Sequence, residues 1–373
     1  SVGGPIMENK LFFFLNAELE RRDDAGSNFV ANRGQSGFGI SRVLASDLEA
    51  IRTRMKDVYG YDTGPYEGYV NETKNEKFLL KLDWNAHENH NVTLRYNFLN
   101  ARRDLPPHPF VLSANNTGRG PNENSLPFSN AGYKINNKLN SVALEVNSRF
   151  EGFANRFFAS YNRFRDNRDP FSRPFPTIEI AVGGVTYTTL GHEPFSIHNI
   201  LDQDVLQLTN NLTFYKDNHV ITVGATYENF SFFNAFNIFR YGVFFLPPPG
   251  VRGGFGGTTF SSLADFFRRT DRADSLFLDF NAMTAAADAG PFKGEDIKVG
   301  QLAFYAQDEF LVSDRLNLTY GVRVDMPMYT NPTANPFSTG LTALDENGKP
   351  EKVDQAKLPS TKLLFSPRVG FNW

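Results

Sequence analysis

The sequence predicts an all-β fold, a transmembrane antiparallel β-barrel represented by about ten consecutive strands. Three observations carry this. Apolar and polar residues alternate with period two, as in a strand with one apolar and one polar face. Brief polar turns alternate with long connections rich in Pro, Asn and Gly. The chain is also aromatic yet polar: its 373 residues include 37 Phe, 14 Tyr and 2 Trp, while the mean hydropathy is -0.38.

The strands follow in order. In the first, Leu11, Phe13, Leu15, Ala17 and Leu19 share a face opposite Asn16, Glu18 and Glu20, with Phe12 and Phe14 fitting less well. Next, Phe78, Leu80, Leu82 and Trp84 oppose Lys81, Asp83 and Asn85, and Val92, Leu94, Tyr96 and Phe98 oppose Thr93, Arg95 and Asn97. The polar stretch 86–91 joins these two into a hairpin. A third pair sets Val142, Leu144 and Val146 against Ser141, Glu145, Asn147 and Arg149, then returns through Phe157, Ala159 and Tyr161 after a turn at 151–155. A fourth places Leu206, Leu208, Leu212 and Phe214 on one face, turns at 216–219, and climbs through Ile221, Val223, Ala225 and Tyr227. The last hairpin runs through Leu302, Phe304, Ala306 and Phe310, turns at 312–315, and returns through Leu316, Leu318, Tyr320, Val322 and Val324. Val369, Phe371 and Trp373 alternate at the chain's end.

The long connections span residues 21–77, 102–138, 164–204 and 230–299. Compact soluble domains seldom carry connections of that length, which weighs against a soluble sandwich or propeller. Two of them are expected to hold helices. One starts from a capping box at Ser46 and Glu49, with Leu48, Ile51, Met55 and Val58 on one side, and stops at Gly60. The other lies near residues 262–269, with Leu263, Phe266 and Phe267 together, after the glycine-rich stretch 253–257.

Several classes drop out. Lipid satisfies no free backbone group, so a spanning chain needs helices or a closed barrel. No apolar run approaches the roughly 18 residues of a transmembrane helix, and the N-terminus lacks the basic and apolar segments of a signal peptide. With no cysteine there is neither a disulfide framework nor a thiolate metal site. Lys and Arg total 38 against 41 Asp and Glu, so no field for nucleic acid is expected. No nucleophile elbow, phosphate loop or zinc-protease motif occurs, and Asp23 and Asp24 stand without a partner base, so the chain is not expected to be an enzyme. His87, Glu88 and His90 fall in a turn, and His192, Glu193 and His198 in one connection. The stretch from Asp345 to Lys349 lacks the later ligands of a calcium loop. No metal and no cofactor is assigned.

Two sets of candidate residues remain. Lys81, Asp83, Arg95, Glu145, Arg149, Arg323 and Asp325 lie on polar faces and are candidates for facing a lumen or a plug within it. Phe232, Phe233, Phe236, Arg240, Tyr241 and Phe244, in a long connection, are candidates for ligand contact, being of the types that dominate binding hot spots.

Certain phrases resemble a known family. They are Gly3-Gly4-Pro5-Ile6 leading into Lys10-Leu11-Phe12-Phe13-Phe14, Ser46-Asp47-Leu48-Glu49-Ala50-Ile51, and Gly64-Pro65-Tyr66. Further on come Gln307-Asp308-Glu309-Phe310, Leu316-Asn317-Leu318-Thr319-Tyr320-Gly321-Val322-Arg323 and Phe365-Ser366-Pro367-Arg368-Val369-Gly370-Phe371. Together they resemble the barrel of the Oar-like branch of TonB-dependent receptors. The resemblance implies an outer-membrane barrel of ~22 strands, blocked by a plug and opened by energy relayed through the TonB protein. It places Gly3 to Ile6 in a turn after earlier strands. Residues 1–373 are then part of one barrel domain, with the plug domain and remaining strands outside this chain. The implied function is capture of a large ligand (peptide, protein or glycan) by external loops and its movement through the plugged barrel. The partners would be outer-membrane lipid, the plug and TonB. The alternative is a surface-interaction or secretion-linked barrel holding a surface lipoprotein or secreted protein, with transport secondary, and a third class is a passive porin.

Overall fold

The computed structural model describes residues 1–108, 118–238, 240–242, 259–329, 341–353 and 361–373. Eleven strands form one antiparallel sheet, each beside its predecessor in sequence. They are β1 (Val2–Met7), β2 (Leu11–Ala25), β3 (Val70–His87), β4 (His90–Leu105), β5 (Tyr133–Phe150) and β6 (Phe153–Pro170). The rest are β7 (Asn199–Lys216), β8 (His219–Ala235), β9 (Glu295–Ser313), β10 (Leu316–Tyr329) and β11 (Leu364–Asn372). The alternation expected from sequence is borne out, since every apolar set named above keeps one face of its strand.

The strands are longer and the turns tighter than expected. β9 has 19 residues and β3, β5, β6 and β7 have 18 each. Beyond the apolar band both faces are polar, so the period-two signal vanishes while backbone pairing continues. Arg21, Arg22 and Asp23 thus still pair with Lys74, Thr73 and Glu72, and Arg21 reaches Glu76 at 2.9 Å. The four hairpins expected to turn over four to six residues close over two: Glu88-Asn89, Glu151-Gly152, Asp217-Asn218 and Asp314-Arg315. Gly152 and Asp217 take positive φ of 76° and 51°, as such turns require.

The stretch Gly3 to Ile6 is a strand, where a turn was expected. Gly3, Gly4 and Pro5 pair with Phe14, Phe13 and Phe12. The lack of a side chain at Gly3 permits this approach, because a Cβ there would come within 2.9 Å of the Phe13 carbonyl oxygen. Pro5, which has no N–H to give to a ladder, sits where the register of β1 shifts between Pro5 and Met7, an irregularity that tolerates proline.

The four long connections fold together as a cap with its own secondary structure. Helix α1 (Ala45–Tyr59) ends at Gly60, whose left-handed φ of 62° lets its N–H return to the Lys56 carbonyl oxygen and the Tyr61 N–H to that of Met55. The capping box at Ser46 and Glu49 does not form, for the helix begins before Ser46 and has no side-chain cap. A tertiary contact replaces it: the Tyr187 hydroxyl accepts from the Leu44 N–H at 2.6 Å and donates to Asp47 at 2.7 Å. Helix α2 (Leu263–Arg269) is capped by Ser262, whose oxygen accepts from the Asp265 N–H. A third helix, α3 (Phe280–Asp288), was not expected, and Asp279 caps it. A small sheet adds Ile178–Val182, Val185–Leu190 and Thr259–Phe260.

The largest apolar core lies in this cap and not against the sheet. Ile51 and Met55 from the first connection, Phe128 from the second, Phe175 and Ile180 from the third, and Phe266 and Phe280 from the fourth are all fully buried in one cluster. Rings interlock, with Tyr61 stacked on Phe175 at 4.0 Å and Phe280 tilted on Tyr59 at 4.9 Å.

Candidate functional site

Register places Lys81, Asp83, Arg95, Glu145, Arg149, Arg323 and Asp325 on the same face of the sheet, as Lys81↔Arg95, Arg95↔Ala143 and Ala303↔Asp325 show. Most of these charges already have partners. Lys81 meets Asp83 at 2.8 Å, Arg156 meets Glu145 at 3.0 Å, and Arg323 meets Asp325 at 2.9 Å. Arg95 and Arg149 are exposed and carry no ion pair among the described residues. The same face is built to lie flat where Tyr305 crosses Gly224 to donate to Asn211, for a Cβ on Gly224 would meet the ring at 2.5 Å.

The opposite face is apolar and uncovered. Leu94, Val142, Phe304 and Val322 are each at least 40% exposed, which across a whole sheet face far exceeds what a protein shows to water. At its two-residue-turn end runs a row of rings: His90 against Phe150 at 5.6 Å, Phe150 stacked on Phe153 at 4.6 Å, and His219 stacked on Phe310 at 4.3 Å. Rings of this kind form the girdle where a barrel meets a membrane interface. From Phe153 to Tyr161 on β6 the band runs ~27 Å along the strand at ~3.4 Å per residue.

Near the two-residue turns an acid interrupts this face. Asp308 of β9 accepts the Tyr320 hydroxyl of β10 at 2.6 Å and lies 2.7 Å from the His219 ring nitrogen of β8, so it ties three strands. Asp308→Ala is expected to cost about 1–3 kcal/mol, because it strands two polar groups at the band's edge, and Tyr320→Phe about 1 kcal/mol. Urea unfolding midpoints in vesicles check both, and unchanged midpoints would mean that the triad is idle.

Within the cap lies a buried polar cluster that the sequence reading missed, since Arg119 and Glu179 belong to no motif. Arg119, Glu179, His192 and Glu193 are all at most 1% exposed. Arg119 lies over the Phe195 ring at 5.7 Å. Glu179 accepts from Thr186 at 2.9 Å, and Glu193 accepts from the Phe195 N–H at 2.9 Å and from Ser196. Burial pushes the Glu193 carboxyl above the usual carboxylate range, against the pull of Ser196 and Arg119. Burial also pushes His192 down to about 4. Its Nδ1 lies 2.8 Å from the Glu193 carbonyl oxygen, and His198 stacks separately on Phe292 at 3.6 Å.

The sign of the pH effect follows. An unfolded cap binds a proton at His192 near the ordinary histidine value of ~6.5, whereas the folded cap resists it, so stability falls as pH drops from there towards 4. Glu193 acts in the opposite sense, losing its contribution as pH rises through its raised value. Comparison with His192→Gln separates the two: the wild-type cap should lose of order 3 kcal/mol relative to the variant over that window. Hydrogen exchange of the cap against pH reads this, and parallel profiles would refute it.

The aromatic candidates do not form one surface. Phe232 lies on the polar face of β8 and Phe233 on the other, where it packs over Gly294. Phe236 is exposed. Arg240 donates to the Pro291 carbonyl oxygen at 3.1 Å and lies over the Phe292 ring at 4.5 Å. Tyr241 is buried and donates to Asp288 at 2.6 Å. Phe244 lies outside the described residues. The sequence reading passed over Phe38, which is wholly exposed on a tip between Gly37 and Gly39.

A meander with one bare apolar face, a ring-lined edge, two-residue turns at one end and a folded cap at the other defines an outer-membrane β-sheet protein. Residues 51–373 match the outer membrane beta barrel domain family, and the chain belongs to it. It is a protein of the bacterial outer membrane, and its structural neighbours are receptors and transporters there. By sequence, no curated protein matches. The ferric-catecholate import receptor Fiu of Escherichia coli K12, in its closed form, is similar with a TM-score of 0.50 and 12% identity over 99% of this chain and 45% of that one. The ferripyoverdine receptor of Pseudomonas aeruginosa is similar with a TM-score of 0.50 and 13% identity over 99% of this chain and 37% of that one. The chain thus spans less than half the length of these solved structures, and at such identity the likeness is one of fold.

Proposed function

We propose that residues 1–373 are the barrel portion of a TonB-dependent receptor of the Oar-like branch. In this reading the sheet closes with further strands to ~22, the two-residue turns face the periplasm, and the cap stands at the cell surface. The cap captures a large ligand (peptide, protein or glycan), which then passes through the plugged barrel. The observation that carries this is the cap's shared core: four connections far apart in sequence bury one cluster. A preformed platform loses little entropy on binding.

The polar face becomes the lumen wall. Arg95 and Arg149, the two candidate cations without an ion pair among the described residues, are where an acidic surface of the plug of the same full-length protein docks. Of the paired charges, Arg156 and Glu145 join neighbouring strands, whereas Lys81 with Asp83 and Arg323 with Asp325 each lie within one strand.

Two measurements on the full-length protein test the reading. In planar bilayers it should be closed, and ligand accumulation in cells should vanish without TonB. A permanently open pore would make it a porin, and accumulation independent of TonB would refute energised transport. The exposed Phe38 favours one second reading, a surface barrel holding a lipoprotein or secreted protein. A stoichiometric partner that co-purifies, and is lost in Phe38→Ala, would support it.

A further inference from the structure

A groove of about 550 Å3 opens on the apolar face near the two-residue turns. Its walls are largely aliphatic, with Leu11, Leu82, Leu94 and Leu144 among them, and Trp84 and Lys10 bring its nitrogen donors. This volume lies within the ~300–1,000 Å3 of ordinary ligand sites.

The two donors adjoin. Trp84 pairs with Leu11, the residue after Lys10, and the Asn85 N–H donates to the Lys10 carbonyl oxygen at 2.8 Å. Among the described residues neither the Lys10 ammonium nor the Trp84 indole N–H has a hydrogen-bond or ion-pair partner. Ammonium and indole only donate, so their complement is an anion rich in acceptors. The aliphatic walls require an alkyl chain. An amphiphile with a phosphate satisfies both, and Trp84 stands at the level of the ring-lined edge, where indoles meet headgroups.

We propose that this groove binds one glycerophospholipid of the periplasmic leaflet, an acyl chain along the leucines and the phosphate at Lys10 and Trp84. The site is distinctive within its own sheet, since Asp308 places an acid at the comparable level of β9. The assignment rests on the outer-membrane placement and on the short turns facing the periplasm. It does not depend on ligand transport, so it can fail or stand whether or not TonB-dependent uptake is found.

Native mass spectrometry of the full-length protein in detergent tests it, with dioleoyl phosphatidylglycerol as probe and dioleoylglycerol, which has the same tails and no phosphate, as control. The wild type should retain one phosphatidylglycerol and no dioleoylglycerol. Lys10→Gln should weaken retention about fivefold, the worth of one lysine at an anionic membrane surface. Trp84→Phe should weaken it less, and Lys10→Arg should keep it. Lys10 is exposed in a turn, so the Lys10 variants should retain the wild-type unfolding midpoint. Equal retention by Lys10→Gln, or equal retention of dioleoylglycerol, would overturn the site.

Discussion

Arginine in place of Leu208 is expected to destabilise the protein by about 2–4 kcal/mol, whereas arginine in place of Gln207 is expected to cost less than about 1 kcal/mol. The two residues are neighbours on β7 and differ in the face they occupy. Leu208 lies between Ala159 and Tyr227 on the apolar face. It is six residues from Phe214, which packs at 6.2 Å on Phe153 in the ring-lined edge. That separation is ~20 Å along the strand, or ~14 Å of height at a tilt near 45°, close to the middle of a band ~25 Å tall. A guanidinium there has neither water nor a counter-charge. Gln207 pairs with Ser160 and with Glu228, so an arginine there would find a carboxylate on the polar face. Urea unfolding in lipid vesicles measures both costs, and equal costs would deny that the two faces meet different media.

Removing the ring of Phe280 is expected to cost about 3–5 kcal/mol, the usual penalty for emptying a fully buried aromatic site, and the loss should fall on the cap alone. Phe280 touches Tyr59, Phe175 and Phe260, which come from three of the four connections. The sheet is held separately, by backbone ladders and by its apolar face against lipid. In Phe280→Ala, hydrogen exchange and proteolysis should therefore rise across α1, α3 and the 178–190 hairpin, while the sheet keeps its unfolding midpoint. A matching loss of sheet stability would show the cap and sheet to be one cooperative unit, and the idea of a separately folded platform would fail.

What the sequence made legible follows from how each element is stabilised. Strands crossing the band advertise themselves, because one medium lies on each side and every second residue must suit it. Where β2 and β3 rise above the band, Asp23 faces Glu72 and the alternation carries no information, so those residues read as connections. Helix α3 was legible but missed: Asp279 caps it, and Phe280, Met283 and Ala287 recur on one buried side. The hairpin at Gly183-Gly184 was missed in the same way, though both glycines take the positive φ of 65° and 74° that such turns favour. By contrast, nothing local announces that Tyr187 would replace the capping box of α1, or that Arg119 would be buried near Glu179 and Glu193. Those contacts join separate connections, and only the tertiary fold brings them together.

The central claim is that one face of this sheet meets lipid and the other a polar interior. Because the chain contains no cysteine, single cysteines can be placed along β7 of the full-length protein and spin-labelled in vesicles. Labels at 206, 208 and 212 should collide with oxygen dissolved in the lipid, and labels at 207, 209 and 213 should not. Uniform accessibility along the strand, or alternation in the reverse phase, would contradict the claim.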